Sequence, residues 1–325
     1  MSYMRLFKTN RITAMQRVGF IIYPGFQIIG LAAATAFEVA NLVSDPPVYD
    51  VSVRSEAGGT IRGSDAVSVD SVALDDTHFD TLIVLGGTGI PVSSPNLLEY
   101  IRTAAESVRR LASICTGAFV LADAGLLDGR RATTHWLMSP ELRTRFPAIK
   151  VEEDRIFLID GAIWTSAGMS AGIDLALAMI EKDLGRDIAR SVAQKLVLYH
   201  RRAGGQSQHS TLLALEPKSD RIQSAMDYAR RNLRNTLAVE ELAEAAHLSP
   251  RQFSRLFRAE TGESPAKAIE KLRLEAARLM LEQGRHPIEV IARETGFDDR
   301  NRMRRAFLRA YGVPPQDIRR NLAEA

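Results

Sequence analysis

The chain has 325 residues, 46% of them apolar and 25% charged, with a formal net charge of +3 and a single cysteine. That length exceeds one ordinary core and points to two domains, and the composition is that of a globular chain rather than a disordered one. One cysteine excludes an internal disulfide, and the lack of a Cys/His cluster beside it argues against a zinc site. No apolar run reaches membrane-span length and no apolar stretch follows the basic N-terminal residues, so the chain is expected to be cytoplasmic, away from membranes.

The net charge becomes informative once it is divided. Residues 206–325 hold 21 Lys and Arg against 17 Asp and Glu, whereas residues 1–205 hold 21 against 22. A near-neutral half followed by a basic half suits a sensor joined to a nucleic-acid binder.

Residues 1–16 lack a clear period and read as an extension, with Met15 an alternative start just ahead of the first strand. From residue 17 short β-rich runs alternate with helical segments. Strands are predicted over residues 18–23, 49–55, 81–85, 110–114, 131–134, 156–160 and 163–165, and helices over 30–43, 96–107, 116–124 and 170–184. This alternation predicts an α/β domain over residues 17–202, a mainly parallel sheet flanked by helices, with ligands at the carboxyl ends of its strands. The Gly-, Gln- and Ser-rich stretch that follows places a linker over residues 203–219. Residues 220–325 then read as all helical.

That last segment repeats itself. Phe253, Phe257, Gly262 and Pro265 return as Met303, Phe307, Gly312 and Pro315, a separation of 50 residues. Each copy closes a helix-turn-helix pattern. Ser249-Pro250 restarts a helix whose Phe253, Leu256 and Phe257 face inward, leaving Arg251, Ser254, Arg255 and Arg258 outside. The second copy turns at Gly296-Phe297-Asp298-Asp299 and leaves Arg300, Asn301, Arg304 and Arg305 exposed. Arginine can grip guanine or phosphate, and asparagine matches adenine. One basic amphipathic helix is often just a solvated face, but two in register predict a reader of two adjacent major-groove segments of double-stranded DNA. A helix over residues 265–281 would join the units and fix their separation. The first copy has the better-signalled helix start, and the second the denser arginine face, Arg300 to Arg309.

Residues 220–322 resemble the AraC/XylS-type DNA-binding domain, most closely from Gly296-Phe297 to Pro314-Pro315. The resemblance implies that the second helix of each unit enters the major groove. By position that marks Arg251, Ser254 and Arg255 in the first, and Arg300, Asn301, Arg304 and Arg305 in the second.

The sharpest chemical signal in the first half is Ile114-Cys115-Thr116-Gly117, where a buried strand runs into a helix. A thiol on that turn projects from the sheet's carboxyl edge as a nucleophile elbow, and the helix N-terminus is expected to lower its pKa. His135 could serve as its base, and Gly86-Gly87 could offer amides to an oxyanion or carboxylate. Each has a plainer reading: a small buried hydrophobe, a structural hydrogen-bonder and a turn.

These residues resemble the PfpI-like branch of the class I glutamine amidotransferase fold, flavodoxin-like in outline, over residues 17–185. Pro24-Gly25-Phe26, Gly86-Gly87, the Cys115 elbow with Ala124-Gly125-Leu126-Leu127-Asp128-Gly129, Thr134-His135-Trp136, Ser166-Ala167-Gly168 and Ala171-Gly172-Ile173-Asp174 carry the likeness. Joined to an AraC-type end, it implies a transcription regulator, more often an activator, tied to amino-acid, amine or betaine metabolism. Its old active site would hold a small effector at Pro24, Gly25, Gly86, Gly87, Cys115, Thr116 and His135. A homodimer, contact with RNA polymerase and no cofactor are further expectations.

One departure bears on catalysis. Gly30 falls where the branch usually has an acid, so Cys115 and His135 are expected to be vestigial and the vacated space open to a bulkier effector. A retained hydrolase, amidase or glyoxalase-like activity, or a redox-sensing Cys115, are the alternatives. Asp174 reads either as a ligand contact or as a helix-starting carboxylate.

Overall fold

The computed structural model describes residues 7–8, 14–198, 201–208, 219–283 and 286–318. It divides into two units, Met1–Gln208 and His209–Ala325.

The first unit is built on an eight-stranded sheet. Its central strands are β2 (Gln16–Ile21), β7 (Thr81–Val84) and β8 (Arg110–Ile114), flanked by β4 (Tyr49–Ser55), β6 (Ser68–Ala73) and β12 (Ile163–Ser166), all parallel. Antiparallel β5 (Gly59–Arg62) and β11 (Phe157–Asp160) close the two edges. β7 and β8 are buried at every position, as apolar runs covered on both faces must be.

Alternate residues of one strand serve different layers. Phe20 and Ile83 pack with α1 (Ala32–Val43), α5 (Ala171–Leu184) and α6 (Arg186–Lys195). Ile21, Leu82 and Val84 pack with α2 (Pro95–Ala105), α3 (Gly117–Asp123) and Leu142 of α4 (Ser139–Arg145) on the other face. Four short strands lie outside this sheet. β1 (Phe7–Lys8) pairs with β3 (Ser44–Asp45), and β9 (Arg131–Ala132) pairs with β10 (Lys150–Val151).

Two expected boundaries differ from what is observed. Part of the extension expected over residues 1–16 is regular, since Phe7–Lys8 is a strand and Gln16 opens β2. Residues 1–6 and 9–13 lie outside the described residues. Residues 203–208, expected to begin the linker, are hydrogen-bonded to the first unit: Ile156 and Phe157 N–H donate to Gln206 O and Gly204 O at 3.0 and 3.3 Å. Gly and Ser composition signalled a linker, but it does not reveal where those amides and carbonyls find partners. Residues 209–218 of the expected linker lie outside the described residues.

The second unit is helical: α7 (Asp220–Arg231), α8 (Val239–Ala245), α9 (Pro250–Thr261), α10 (Pro265–Gln283), α11 (Ile288–Glu294) and α12 (Arg300–Tyr311). α10 is shared between two small cores. Its Ala268, Ile269 and Leu272 pack with Phe253 and Phe257, while Leu274, Ala277 and Leu281 pack with Met303 and Phe307. Arg273 stands between these groups, 9% exposed. Its Nε and Nη2 donate to Leu233 O and Asn235 O at 3.2 and 2.7 Å. The same guanidinium lies against Gly296, where a Cβ would fall 2.7 Å from Arg273 Nε and overlap Leu233 O. One side chain thus ties the loop after α7 to the turn between α11 and α12.

Candidate functional site

Cys115 terminates β8 with φ of +56°, in the left-handed region that costs a non-glycine residue energy and marks a strained turn. The surrounding backbone holds it there. Cys115 N–H donates to Ser166 O at 3.1 Å, and Thr134 Oγ1 donates to Cys115 O at 2.8 Å. Glycines admit the close approach: a Cβ on Gly86 would lie 2.8 Å from Cys115 Cβ, one on Gly117 would overlap Val84 O, and one on Gly168 would overlap Cys115 Cβ.

The structure brings Gly25, Gly86, Gly87 and Thr116 beside Cys115 at the carboxyl ends of β7 and β8. Phe26 bridges to Gly87, which sets the Pro24–Gly25 turn beside it; a Cβ on Gly87 would stand 2.8 Å from Gly25 O. Thr134 is bonded to the elbow, and half-buried His135 follows it. His135 Nδ1 accepts from Leu137 N–H at 3.3 Å, and its ring stacks on Trp136 at 5.8 Å between centroids.

Three expectations need correcting. The Cys115 thiol pKa is not lowered as expected: burial, at 5% exposure, pushes it above its ordinary value, opposed by the Thr116 amide. Desolvation outweighs the short helix N-terminus. The Gly87 amide, expected to face an anion, donates to Thr116 Oγ1 at 2.9 Å, and Thr116 returns a bond to Gly87 O at 3.2 Å. Gly30 leaves no vacated space either, because Leu85 carbons sit 3.1–3.5 Å from where its Cβ would be.

Asp174 is not open to a ligand as the alternative reading had it. It is buried and grips Arg202, whose N–H and Nε both donate to it at 2.8 Å. Burial raises its pKa, opposed by Arg202. Sequence reasoning missed Tyr23, whose hydroxyl donates to Leu85 O at 2.8 Å beside Thr116 and Cys115. Burial raises this phenol well above its ordinary value. Its position just ahead of Pro24-Gly25 was the available signal.

The second unit presents two basic helix faces. α9 starts on a capping box: Ser249 Oγ accepts from Gln252 N–H and Gln252 Oε1 accepts from Ser249 N–H. α12 starts on Asp299, whose Oδ1 accepts from Asn301 and Arg302 N–H at 2.7 and 2.9 Å. Arg251, Arg255, Arg300, Asn301, Arg304 and Arg305 are exposed, and Ser254 is half-buried. The arginines differ in company. Arg300 pairs with Glu289, Arg302 with Asp298 and Arg309 with Glu270, at 3.3, 3.1 and 3.0 Å. Among the described residues Arg251, Arg255, Arg258, Arg304 and Arg305 pair with no carboxylate. The denser arginine face of α12 is therefore partly neutralised by the protein itself.

Comparison with known proteins matches both units. The DJ-1/PfpI family model covers residues 16–182, and a helix-turn-helix domain model covers residues 242–321. The HTH-type transcriptional regulator GlxA of Rhizobium meliloti is 32% identical over 324 residues, spanning 94% of this chain and 96% of its own. An isonitrile hydratase of Pseudomonas putida is 33% identical over 187 residues, 55% of this chain and 77% of its own. The crystal structure of an AraC family transcriptional regulator from Pseudomonas putida shares the fold over 56% of this chain and 99% of its own, with a TM-score of 0.52 at 22% identity. Among the described residues no helix is long and apolar enough to cross a membrane. With a DJ-1/PfpI domain ahead of paired, arginine-faced helix-turn-helix units, and full-length likeness to such regulators, the chain belongs to the DNA-binding HTH-type transcriptional regulators of AraC type that carry a DJ-1/PfpI-like domain.

Proposed function

We propose that the first unit is a non-catalytic effector domain. It would hold a small amino acid, amine or betaine at Pro24, Gly25, Gly86, Gly87, Cys115, Thr116 and His135, and so bias how a homodimer engages DNA and RNA polymerase in the cytoplasm. The observation that carries this is the elbow itself: its strained geometry is kept while its thiol is buried and its pKa pushed up. A strained elbow whose thiol is disfavoured as a thiolate suits binding better than turnover. Tyr23 joins the expected residues as a contact. In the DNA-binding unit, Arg251, Ser254 and Arg255 would read one groove segment and Arg300, Asn301, Arg304 and Arg305 the next.

The test is thermal denaturation of the full chain with amino acids, amines and betaines. A ligand at 100 times its Kd adds about 2.7 kcal/mol to stability. Cys115→Ala removes one of the lining contacts and is expected to weaken, but not abolish, effector-dependent promoter control, with no lost turnover. Loss of control together with a measurable hydrolytic or hydratase activity would overturn the reading.

The second reading is a Cys115-dependent enzyme, favoured by the isonitrile hydratase relative and the preserved elbow. It requires turnover that Cys115→Ala abolishes. A redox role for Cys115 requires a thiol that alkylates faster than free cysteine, and burial opposes this.

A further inference from the structure

Residues 201–208 are the last described stretch before the chain passes into the second unit, and they are fastened around the Cys115 site at three points. The first is Arg202, held by Asp174 and donating through Nη2 to Ser170 Oγ at 2.8 Å. Asp174 and Ser170 follow the turn whose Gly168 touches Cys115. The second is main chain, where Gly204 and Gln206 carbonyls pair with the edge strand β11 and its preceding residue, and Arg155 Nη1 donates to Gly205 O at 2.8 Å. Gly204 is buried there because a Cβ would stand 2.6 Å from Phe157 O.

The third is Gln208. Its Nε2 donates to Thr134 O at 2.9 Å and Glu153 O at 2.8 Å, with Arg155 O at 3.1 Å. Its Oε1 accepts from Trp136 N–H at 2.9 Å. The two ends of one amide therefore grip the residues on either side of His135, and Thr134 in turn is bonded to Cys115 O. Asp154 fixes the backbone at this end by accepting from Gln208 N–H and Ser207 Oγ at 2.7 and 2.9 Å.

Two of the three anchors thus land on the two loops that wall the elbow. An occupant that displaces either loop must strain or release the segment leading to the DNA-binding unit. We propose that residues 201–208 are the output strap of the Cys115 site, with Gln208 the positioning residue that links its occupancy to DNA binding. This rests on the reading of the elbow as the effector site. No rigid contact between the units is needed, because the signal is the attachment point of the connecting chain.

The test uses the full chain, in which Cys115 is the only thiol. Iodoacetamide probes the elbow, and a duplex selected for binding from a random-sequence pool probes the second unit. If the strap couples the two sites, bound duplex shifts the population of elbow conformations open to the reagent, and is expected to change the wild-type alkylation rate roughly fivefold or more. Gln208→Glu sets acceptor oxygens against backbone carbonyls. It is expected to speed alkylation without DNA and to erase the DNA dependence. Gln208→Asn, one methylene short but still an amide, guards against misfolding and is expected to erase it too. A merely structural Gln208 would lower the melting temperature and leave the DNA dependence intact. That outcome, or a wild-type rate indifferent to DNA, overturns the strap. The effector reading fails separately, when no amino acid, amine or betaine stabilises the chain.

Discussion

The two helix-turn-helix units reach the same geometry by different chemistry. In the first, one left-handed residue, His247 at φ +53°, separates α8 from a neutral, reciprocal cap. In the second, Gly296 and Asp298 are both left-handed, at +74° and +67°, and the cap is a lone carboxylate. Counted from turn to core, Met303 follows Gly296 by one residue more than Phe253 follows His247. The units also differ in free charge: among the described residues α9 keeps Arg251, Arg255 and Arg258 unpaired, while α12 shares three of its arginines with Glu289, Asp298 and Glu270. An internal repeat in sequence is therefore not a repeat in capping or charge pairing. The first unit offers a sturdier start and more unpaired cations, and the second a start that depends on ionisation and on one glycine.

The strongest way to break this comparison is at the turns. Gly296→Ala meets the Leu233 carbonyl and a left-handed backbone together, and is expected to cost about 2–4 kcal/mol. His247→Gly relieves strain and should leave stability level or slightly raised. Denaturant midpoints of the two variants settle it, and equal shifts would end the distinction.

The charges give the next largest contrast. Arg304→Ala should relax base preference at one position by about 1–3 kcal/mol if it reads a base edge. Arg300→Ala should change binding less, since its guanidinium is shared with Glu289. Titration of selected duplexes at two salt concentrations separates base reading from phosphate holding, where affinity falls uniformly and the salt slope becomes shallower.

The caps give the smallest and most specific contrast. Ser249→Ala should cost about 1 kcal/mol with little pH dependence. Asp299 is held below the ordinary carboxylate range by the Arg302 amide first, then by that of Asn301. Its contribution is therefore present above the unfolded carboxylate pKa and lost as pH falls through the lower folded one. Acid titration followed by hydrogen exchange at the start of α12 should show fraying that Asp299→Asn shifts and Ser249→Ala does not.

A fourth contrast sets the elbow against the caps. The Cys115 pKa is raised, so its contribution is complete below the unfolded thiol pKa, about 8.5, and declines as pH rises beyond it. Cys115→Ala should flatten stability on that alkaline side only, as seen in unfolding midpoints across the range.

Legibility followed locality. β4 and β8 carry apolar or alternating runs bounded by turns, and their observed limits, Tyr49–Ser55 and Arg110–Ile114, match the predicted ones. The β5–β6 hairpin was not read, because Gly59–Arg62 and Ser68–Ala73 form a sheet edge with largely exposed, polar positions. α6 was not read either, since two of its four buried residues are alanines and its mean pattern is strongly polar. At the candidate site, residues bound to one turn, such as Cys115 and Thr116, were legible. Arg202 and Gln208 were not: their partners lie 28 and about 74 positions away, and no local period records a side chain crossing to another loop. The expected acid partner was judged from the residue type at Gly30, whereas the packing of Leu85 against it is a tertiary fact.

Arg273 has a consequence for how the genome is searched. A guanidinium bonded to Leu233 O and Asn235 O, and pressed on Gly296, ties the two helix-turn-helix units to each other and is expected to restrain their separation and relative rotation. Each inserted base pair moves a half-site about 3.4 Å along the duplex and turns it by roughly a tenth of a revolution. A restrained pair is expected to follow that step poorly, so duplexes with both half-sites intact but one base pair misplaced should bind more weakly, and Arg273→Ala should narrow the difference.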